Sequence, residues 1–520
     1  MASPSTLEDV RVRATPAHRP GDRSPLPGLA VLGLGASIVP LDFAVNVAFP
    51  AITEAFALPT HAIRWVAIVY VITYGALMIG VGALGDRIGY LRVFRAGLAL
   101  GALAFAGCAL APTFGWLLAA RALQGVSVAL TLSCAPALAT LLVDASRRTW
   151  ALSAFAATQA VAGVAAPIAG GAAMAVLDWP GVYAFRVPVV LAALAGSALL
   201  APAAARQVAR TDGTFDAPGS ALLALAFGLL LLVPTLLGSV LLGTGDPGGS
   251  RTGAAFASPG APTDASILAS LAPALGVAIA AAIAATALVR RQRRSSAPFL
   301  PREVARDPDF ALVNAGACVV HFTSFAVPLT TPYYLLRGGG WSAWDAGLVL
   351  SVWALGSLAG SWGAARAVAA LGARRAALAA ALVSGAALAG VATWPATPDA
   401  ATMVGWLLLQ GAGAGLFQVA YTDLVVAALP VSSRGVAGSL TMVTRTVGVT
   451  LGATVWLGTL QGFETAAIAQ GTGARDAMVV AFRVVAASAA AVAIAFFAAT
   501  SVRRTTWRGP SHDGGAGDRR

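Results

Sequence analysis

The chain is 520 residues long, 58% hydrophobic and only 11% charged, with a mean hydropathy of +0.78. That is more apolar surface than one soluble core can hide, so the composition excludes a soluble globular domain and points to an all-α polytopic membrane protein. The net charge of +12 does not indicate nucleic acid as a partner, because the basic residues sit in short clusters between long apolar runs and suit the anionic face of a lipid bilayer.

All 34 basic residues are arginine. The three cysteines, Cys108, Cys134 and Cys318, lie far apart in apolar segments, which suits small helix-packing residues better than a disulfide framework or a metal cluster. No cofactor and no metal are expected.

Residues 1–26 are polar, rich in Pro and Arg, and read as a disordered cytoplasmic tail. Fourteen apolar runs follow, at 27–50, 63–84, 95–112, 115–143, 150–176, 182–204, 217–243, 266–289, 309–336, 343–370, 375–395, 401–429, 436–461 and 477–501. If the N-terminus is cytoplasmic, the even-numbered loops, their helix edges and both tails hold most of the arginines. The outer side then holds only Arg64, Arg186, Arg251, Arg337 and Arg475. The positive-inside rule therefore puts both termini in the cytoplasm of a multi-pass protein of the cell membrane. Cysteine-accessibility labelling is expected to find Thr263→Cys exposed outside and Ser296→Cys exposed inside; the reverse, or both on one side, would sink this topology.

The first run carries Asp42 in VPLDFAVNVAFP. An ionised carboxylate inside a bilayer costs a few kcal/mol unless it is protonated, hydrated or paired. Asp42 is therefore either functional or a structural carboxylate satisfied by Ser or backbone donors. Between the second and third runs lies GALGDRIGYLRVF, residues 82–94, a tight charged hairpin. Its pattern G-x-L-x-D-R-x-G-x-x-R resembles the signature loop of the major facilitator superfamily, with Gly82, Leu84, Asp86, Arg87, Gly89 and Arg92 on the family positions. A generic positive cytoplasmic loop is the alternative. The resemblance implies a gating role, with Asp86 and Arg87 latching one end state of an alternating-access cycle.

The first run is also similar to the opening helix of that family's fourteen-helix drug:proton antiporters, with Leu41, Asp42, Asn46, Val47, Ala48 and Pro50 on matching positions and an Asp-to-Asn spacing one residue shorter. The resemblance implies Asp42 as the proton-coupling residue and Asn46 as a cavity residue. In the fourth run, LLAARALQGVSVA puts Arg121, Gln124 and Gly125 on one helical face at i, i+3 and i+4. This resembles the family's R-x-x-Q-G motif, whose arginine is implied in proton transfer. Asp42 is the expected partner, and an arginine that merely ties helix ends together is the alternative. The fifth run has Gly163, Pro167, Gly170 and Gly171 in QAVAGVAAPIAGG, similar to the antiporter motif G-x-x-x-G-P-x-x-G-G with Ala162 and Ala166 at the two leading positions. It reads equally as a small-residue packing face.

The chain repeats itself. Leu123, Gln124 and Gly125 recur as Leu409, Gln410 and Gly411, and Arg148, Ser153 and Thr158 recur at the same offset as Arg434, Ser439 and Thr444. The fourth and fifth runs therefore match the twelfth and thirteenth, which implies two parallel six-helix halves with two helices inserted between them. The expected organisation is a tail over 1–26, a six-helix bundle over 27–204 and a linker with the inserted pair over 205–306. A second six-helix bundle then spans 307–501, and a tail 502–520. In the linker, 244–263 reads as a flexible outer loop and 290–306 as an arginine-rich strip on the membrane surface. These two carboxylates belong to the first half only: Thr330 stands opposite Asp42 in the echo of Val39-Pro40-Leu41 at Val327-Pro328-Leu329, and the second hairpin keeps Gly372, Arg374 and Arg375 but has Ala369 where Asp86 would fall. His321, Asp423 and Arg445 remain as possible cavity residues.

No H-E-x-x-H, phosphate-binding glycine loop with lysine, G-x-S-x-G or Cys/His cluster occurs, so an enzyme is not indicated and the energy for transport must come from a gradient. The whole resemblance, over nearly all the apolar portion, implies a monomeric exporter of a hydrophobic or amphipathic small molecule in exchange for protons. The alternatives are an exporter of one endogenous metabolite and a non-transporting receptor on the same fold.

Overall fold

The computed structural model describes residues 24–144, 147–205, 217–241, 264–294, 306–396, 400–428 and 434–501, and among them there are helices and no strands. The first half comprises α1 Leu26–Ala36, α2 Phe43–Ala55, α3 Arg64–Ile88, α4 Tyr90–Ala109, α5 Phe114–Leu141, α6 Arg148–Ala184, α7 Arg186–Gly196 and the short α8 Ala201–Ala204. Two helices follow, α9 Ala217–Leu241 and α10 Asp264–Arg294. The second half comprises α11 Pro308–Ser324, α12 Ala326–Tyr333, α13 Ala343–Leu371, α14 Ala373–Val391, α15 Ala400–Ala428, α16 Arg434–Ala469 and α17 Ala474–Ser501. Each apolar run of the sequence falls on helix. Among the described residues, ten helices are long and apolar enough to cross a bilayer by themselves, and the bent pair α1 and α2 makes an eleventh. Large apolar side chains such as Trp362, Leu110 and Val176 stay exposed around the bundle, as a hydrocarbon solvent permits and water does not.

The expected tails and the 244–263 loop lie, apart from residues 24–26, outside the described residues. The arginine-rich linker expected from 290 starts differently: Arg290, Arg291, Arg293 and Arg294 continue α10. Arginine is a good helix former, and no Gly or Pro interrupts the sequence before Pro298.

The first apolar run is not one straight helix. It bends by 40° at a 3₁₀ turn over Pro40–Asp42. Pro40 has no N–H to donate to Ala36, so the α-helical ladder is broken there. The run 309–336 is interrupted in the same way at Phe325, just before Pro328, and ends in a π turn over Tyr334–Gly338.

The internal repeat reappears as packing. Helices α3 and α4 are joined by Gly89 alone at φ +100°, and α13 and α14 by Gly372 alone at φ +79°. An L-residue at such a joint costs roughly 1–2 kcal/mol, so glycine is what lets the two charged hairpins turn so tightly. Gly125 lets α5 press on α3, where an added Cβ would sit 2.6 Å from Thr73 Cβ. Its counterpart Gly411 lets α15 press on α13 at the Trp353 carbonyl and Ser357.

The start of α1 lies beside the ends of α5 and α7, where an added Cβ at Gly28 would meet Leu142 and Leu200; this end of the bundle is here the terminal face. The two halves meet toward the opposite, distal face. Thr53 Oγ1 lies 2.8 Å from the Tyr333 hydroxyl, and Arg337 Nη1 donates to Thr60 Oγ1 at 3.3 Å. The His61 N–H donates to Gln461 Oε1 at 2.7 Å, and its Nδ1 lies 2.7 Å from the same oxygen. Deeper in, an added Cβ at Gly171 of α6 would sit 2.7 Å from the Ala343 carbonyl, and Gly347 of α13 packs on the Pro167 carbonyl. The inserted α9 covers α3, with Phe227 Cε1 3.2 Å from where a Gly75 Cβ would be, and α10 packs on α9.

Candidate functional site

The bend at Pro40–Asp42 aims the Asp42 carboxylate at α5. That helix is capped by Thr113, whose side chain accepts the Trp116 N–H at 3.2 Å, and Arg121 and Gln124 follow about two turns later on its inward face. Arg121 grips Asp42 with two parallel bonds, Nη1 to Oδ1 at 2.6 Å and Nη2 to Oδ2 at 2.8 Å. This forked geometry is the strong form of an arginine–carboxylate pair. The same guanidinium donates from Nε to the Val66 carbonyl at 2.7 Å and from Nη1 to Gln124 Oε1 at 2.7 Å, and lies 4.4 Å from the Tyr70 ring centroid. Gln124 Nε2 in turn donates to Asp42 Oδ1 at 3.0 Å. Asp42 and Arg121 thus meet, the pairing considered from the sequence, and Gln124, read there as a helix-packing residue, joins them.

A fourth member was not expected. Arg186 was assigned to the outer side of the membrane, yet its side chain is fully enclosed and its Nη1 donates to Asp42 Oδ1 at 2.9 Å. Arg64, assigned to the same side, is also buried. The reason is geometric: the chain turns at Asp178 (φ +56°) and is helical again from Trp179, so Arg186, about two turns beyond the turn, stands inside the bundle rather than at its rim. A signal was present in the sequence, since Arg186 lies four residues inside the apolar run 182–204 rather than before it. The carboxylate keeps 16% of its side-chain surface open while Arg121 keeps 1%, so one partly open negative charge faces two enclosed positive ones.

The second half carries an uncharged echo. Gln410 accepts from Trp353 Nε1 and donates to Ser384 Oγ at 3.2 Å. Leu407 is buried where the repeat of Arg121 would fall, and the Thr330 hydroxyl is satisfied by its own helix, at the Ala326 carbonyl.

The remaining predicted residues are dispersed. In α6, Gly163 sits over Pro40, Gly170 faces Ala44 of α2, and Pro167 and Gly171 face α13 across the junction of the halves. The motif residues of the fifth run therefore pack both within and between halves. Asn46 is buried one turn beyond Asp42. In the second half, His321 of α11 and Arg445 of α16 come within electrostatic reach of each other, and Gly448 gives α16 room against His321. Asp423 is exposed on α15, apart from the Asp42 cluster. At the charged hairpin Arg87 is exposed, and Arg92 Nη1 makes a long bond of 3.4 Å to the Ile88 carbonyl. The surroundings of Gly82 and the side chain of Asp86, on which the latch depends, lie outside the described residues.

Residues 29–453 match the family model described as Major Facilitator Superfamily. The chain belongs to this superfamily. Among curated relatives of this superfamily member, the tetracenomycin C resistance and export protein of Streptomyces glaucescens is 27% identical over 88% of this chain and 79% of its own length. The methylenomycin A resistance protein of Streptomyces coelicolor is 26% identical over 82% of this chain and 83% of its own. Among solved structures, a bacterial homolog of the human lysosomal transporter Spinster, inward-facing and unoccupied, superposes with a TM-score of 0.61 at 16% identity, covering 92% of this chain and 98% of the other. Structure and family agree on a major facilitator transporter whose relatives include drug-resistance exporters, and such transporters are not enzymes.

Proposed function

We propose that this transporter exports a hydrophobic or amphipathic small molecule from the cytoplasm in exchange for protons, through the cell membrane and with both termini inside. The observation that carries this reading is the Asp42 cluster: a carboxylate at a helix bend, partly open, enclosed by two arginines and a glutamine from other helices. A charge kept inside an apolar bundle at such cost is retained for work, and a carboxylate that can alternate between proton and guanidinium partners is a suitable coupling group. Beside it, Phe43 and Trp353 bring aromatic rings from the two halves to 5.5 Å between centroids, a contact suited to a flat apolar substrate. The halves are clasped toward the distal face, which suits loading from the terminal face, the side from which an exporter takes its substrate. The names of the antibiotic-resistance relatives support export of a drug-like compound or secondary metabolite.

The test uses the purified protein in liposomes with ethidium, a flat lipophilic cation, as probe. An imposed pH gradient is expected to drive ethidium accumulation, and a protonophore to collapse it. Accumulation that is indifferent to the protonophore would refute proton exchange.

A further inference from the structure

The two guanidinium groups at Asp42 are not held equally. Arg121 has anchors besides the carboxylate: the Val66 carbonyl, the Gln124 side-chain oxygen and the Tyr70 ring. Arg186 has one bond, from Nη1 to Asp42 Oδ1, while its Nε and Nη2 are buried without a hydrogen-bond partner. Its other neighbours are the rings of Phe105, Tyr183 and Phe185, at 5.3 to 5.7 Å. The hydroxyls of Tyr70 and Tyr183 are likewise buried and unpartnered, so polar groups without partners cluster around the weakly tethered arginine.

We propose that Arg186 is the partner that Asp42 releases when it takes up its proton, while Arg121 stays in place as a fixed wall. The inference rests on the proton-exchange reading above. The ionisable groups within electrostatic reach of the carboxylate are Arg121 from α5, Arg186 from α7, Tyr70 and Tyr74 from α3, Tyr183 from α6 and Cys108 from α4. Of these only the arginines are charged near neutral pH. A proton arriving from solvent at the open edge of Asp42 binds one carboxylate oxygen and cancels its negative charge. Two buried cations then share a neutral acceptor. A buried charge is stable only while paired, and their mutual repulsion is poorly screened in the bundle. The side chain with fewer other anchors gives way. Arg186 lies about two turns beyond the turn at Asp178, and the part of α6 before that turn carries Pro167 and Gly171, which touch the other half, so its displacement acts across that turn of chain from an element at the junction. Arg186 is therefore a positioning residue of the coupling step.

Infrared difference titration of the full-length protein in liposomes tests this without any substrate. The carboxylic-acid band that Asp42→Asn removes reports proton uptake, and a guanidinium band changing in the same titration reports the arginine that loses its partner. Arg186→Lys, which keeps the charge, is expected to remove that guanidinium change, and Arg121→Lys to leave it. Arg186→Gln is expected to move the carboxyl midpoint upward by about one pH unit or more, because a nearby cation no longer favours the ionised form. A guanidinium change that survives Arg186→Lys, or that is lost equally in Arg121→Lys, overturns this inference alone. A carboxyl at position 42 that titrates with no guanidinium change does the same. A carboxyl that does not titrate overturns the proton-exchange reading and this inference with it.

Discussion

Asp42→Asn is expected to abolish accumulation of ethidium against a gradient while the protein still inserts and still exchanges substrate down a gradient. Asparagine keeps the size of the side chain and one acceptor oxygen for Arg121 Nη1, Arg186 Nη1 and Gln124 Nε2, the three donors now on Oδ1. Its amide nitrogen replaces Oδ2 and faces Arg121 Nη2, donor against donor, so the forked pair is reduced to one bond. The variant cannot ionise and therefore cannot carry a proton through the cycle. It resembles the permanently protonated state, in which binding and exchange remain possible but the gradient has nothing to act on. Asp42→Glu, which restores the charge at a different reach, is expected to recover part of the uphill transport. The measurement is probe accumulation in liposomes with an imposed pH gradient, beside counterflow with none. Uphill transport that persists in Asp42→Asn would remove this residue from the coupling step and direct attention to His321 and Asp423.

Gly347→Val is expected to reduce transport by about ten- to hundredfold by preventing closure of the distal side. A Cβ at position 347 would overlap the Pro167 carbonyl of the other half, and across the same crossing Gly171 approaches the Ala343 carbonyl and Trp344 Cα. Both obstacles are backbone, so no rotamer change makes room. Overpacking of a tight contact costs typically 1–3 kcal/mol, and a free-energy bias of that size shifts a two-state equilibrium roughly 5- to 150-fold. The halves are separate bundles, so the strain is relieved by parting them rather than by unfolding either. Cysteines near the distal clasp at Thr53 and Tyr333 should therefore become more reactive to a membrane-impermeant reagent in the variant. Unchanged labelling together with unchanged transport would mean that this crossing does not govern closure.

Much of this protein was legible in the sequence because membrane helices are written in local terms. An apolar run of about twenty residues is a helix wherever it sits in a bilayer, since every backbone polar group must be satisfied within the segment. Arg121 and Gln124 share a helix face because they stand three residues apart, and the repeat of Leu123, Gln124 and Gly125 at Leu409, Gln410 and Gly411 marks two equivalent halves whatever their contacts. Even the Asp42 to Arg121 pair could be anticipated, since each is a charge in an apolar run that needs an opposite partner. Arg186 could not be found that way, because Arg121 had already answered Asp42's need and an arginine near the start of an apolar run looks like a loop residue. Its bond to Asp42 spans 144 residues of chain and depends on the turn at Asp178, after which the helix carries Arg186 into the bundle. The break of the first helix at Pro40 and the meeting of Gly171 and Gly347 across the halves are of the same kind. The sequence determined which segments span the membrane, where the charges stand along them and that the chain is doubled. The tertiary structure decided which charges meet, how firmly each is held and where the halves touch, because those depend on helix packing between residues far apart in the chain, which no local periodicity encodes.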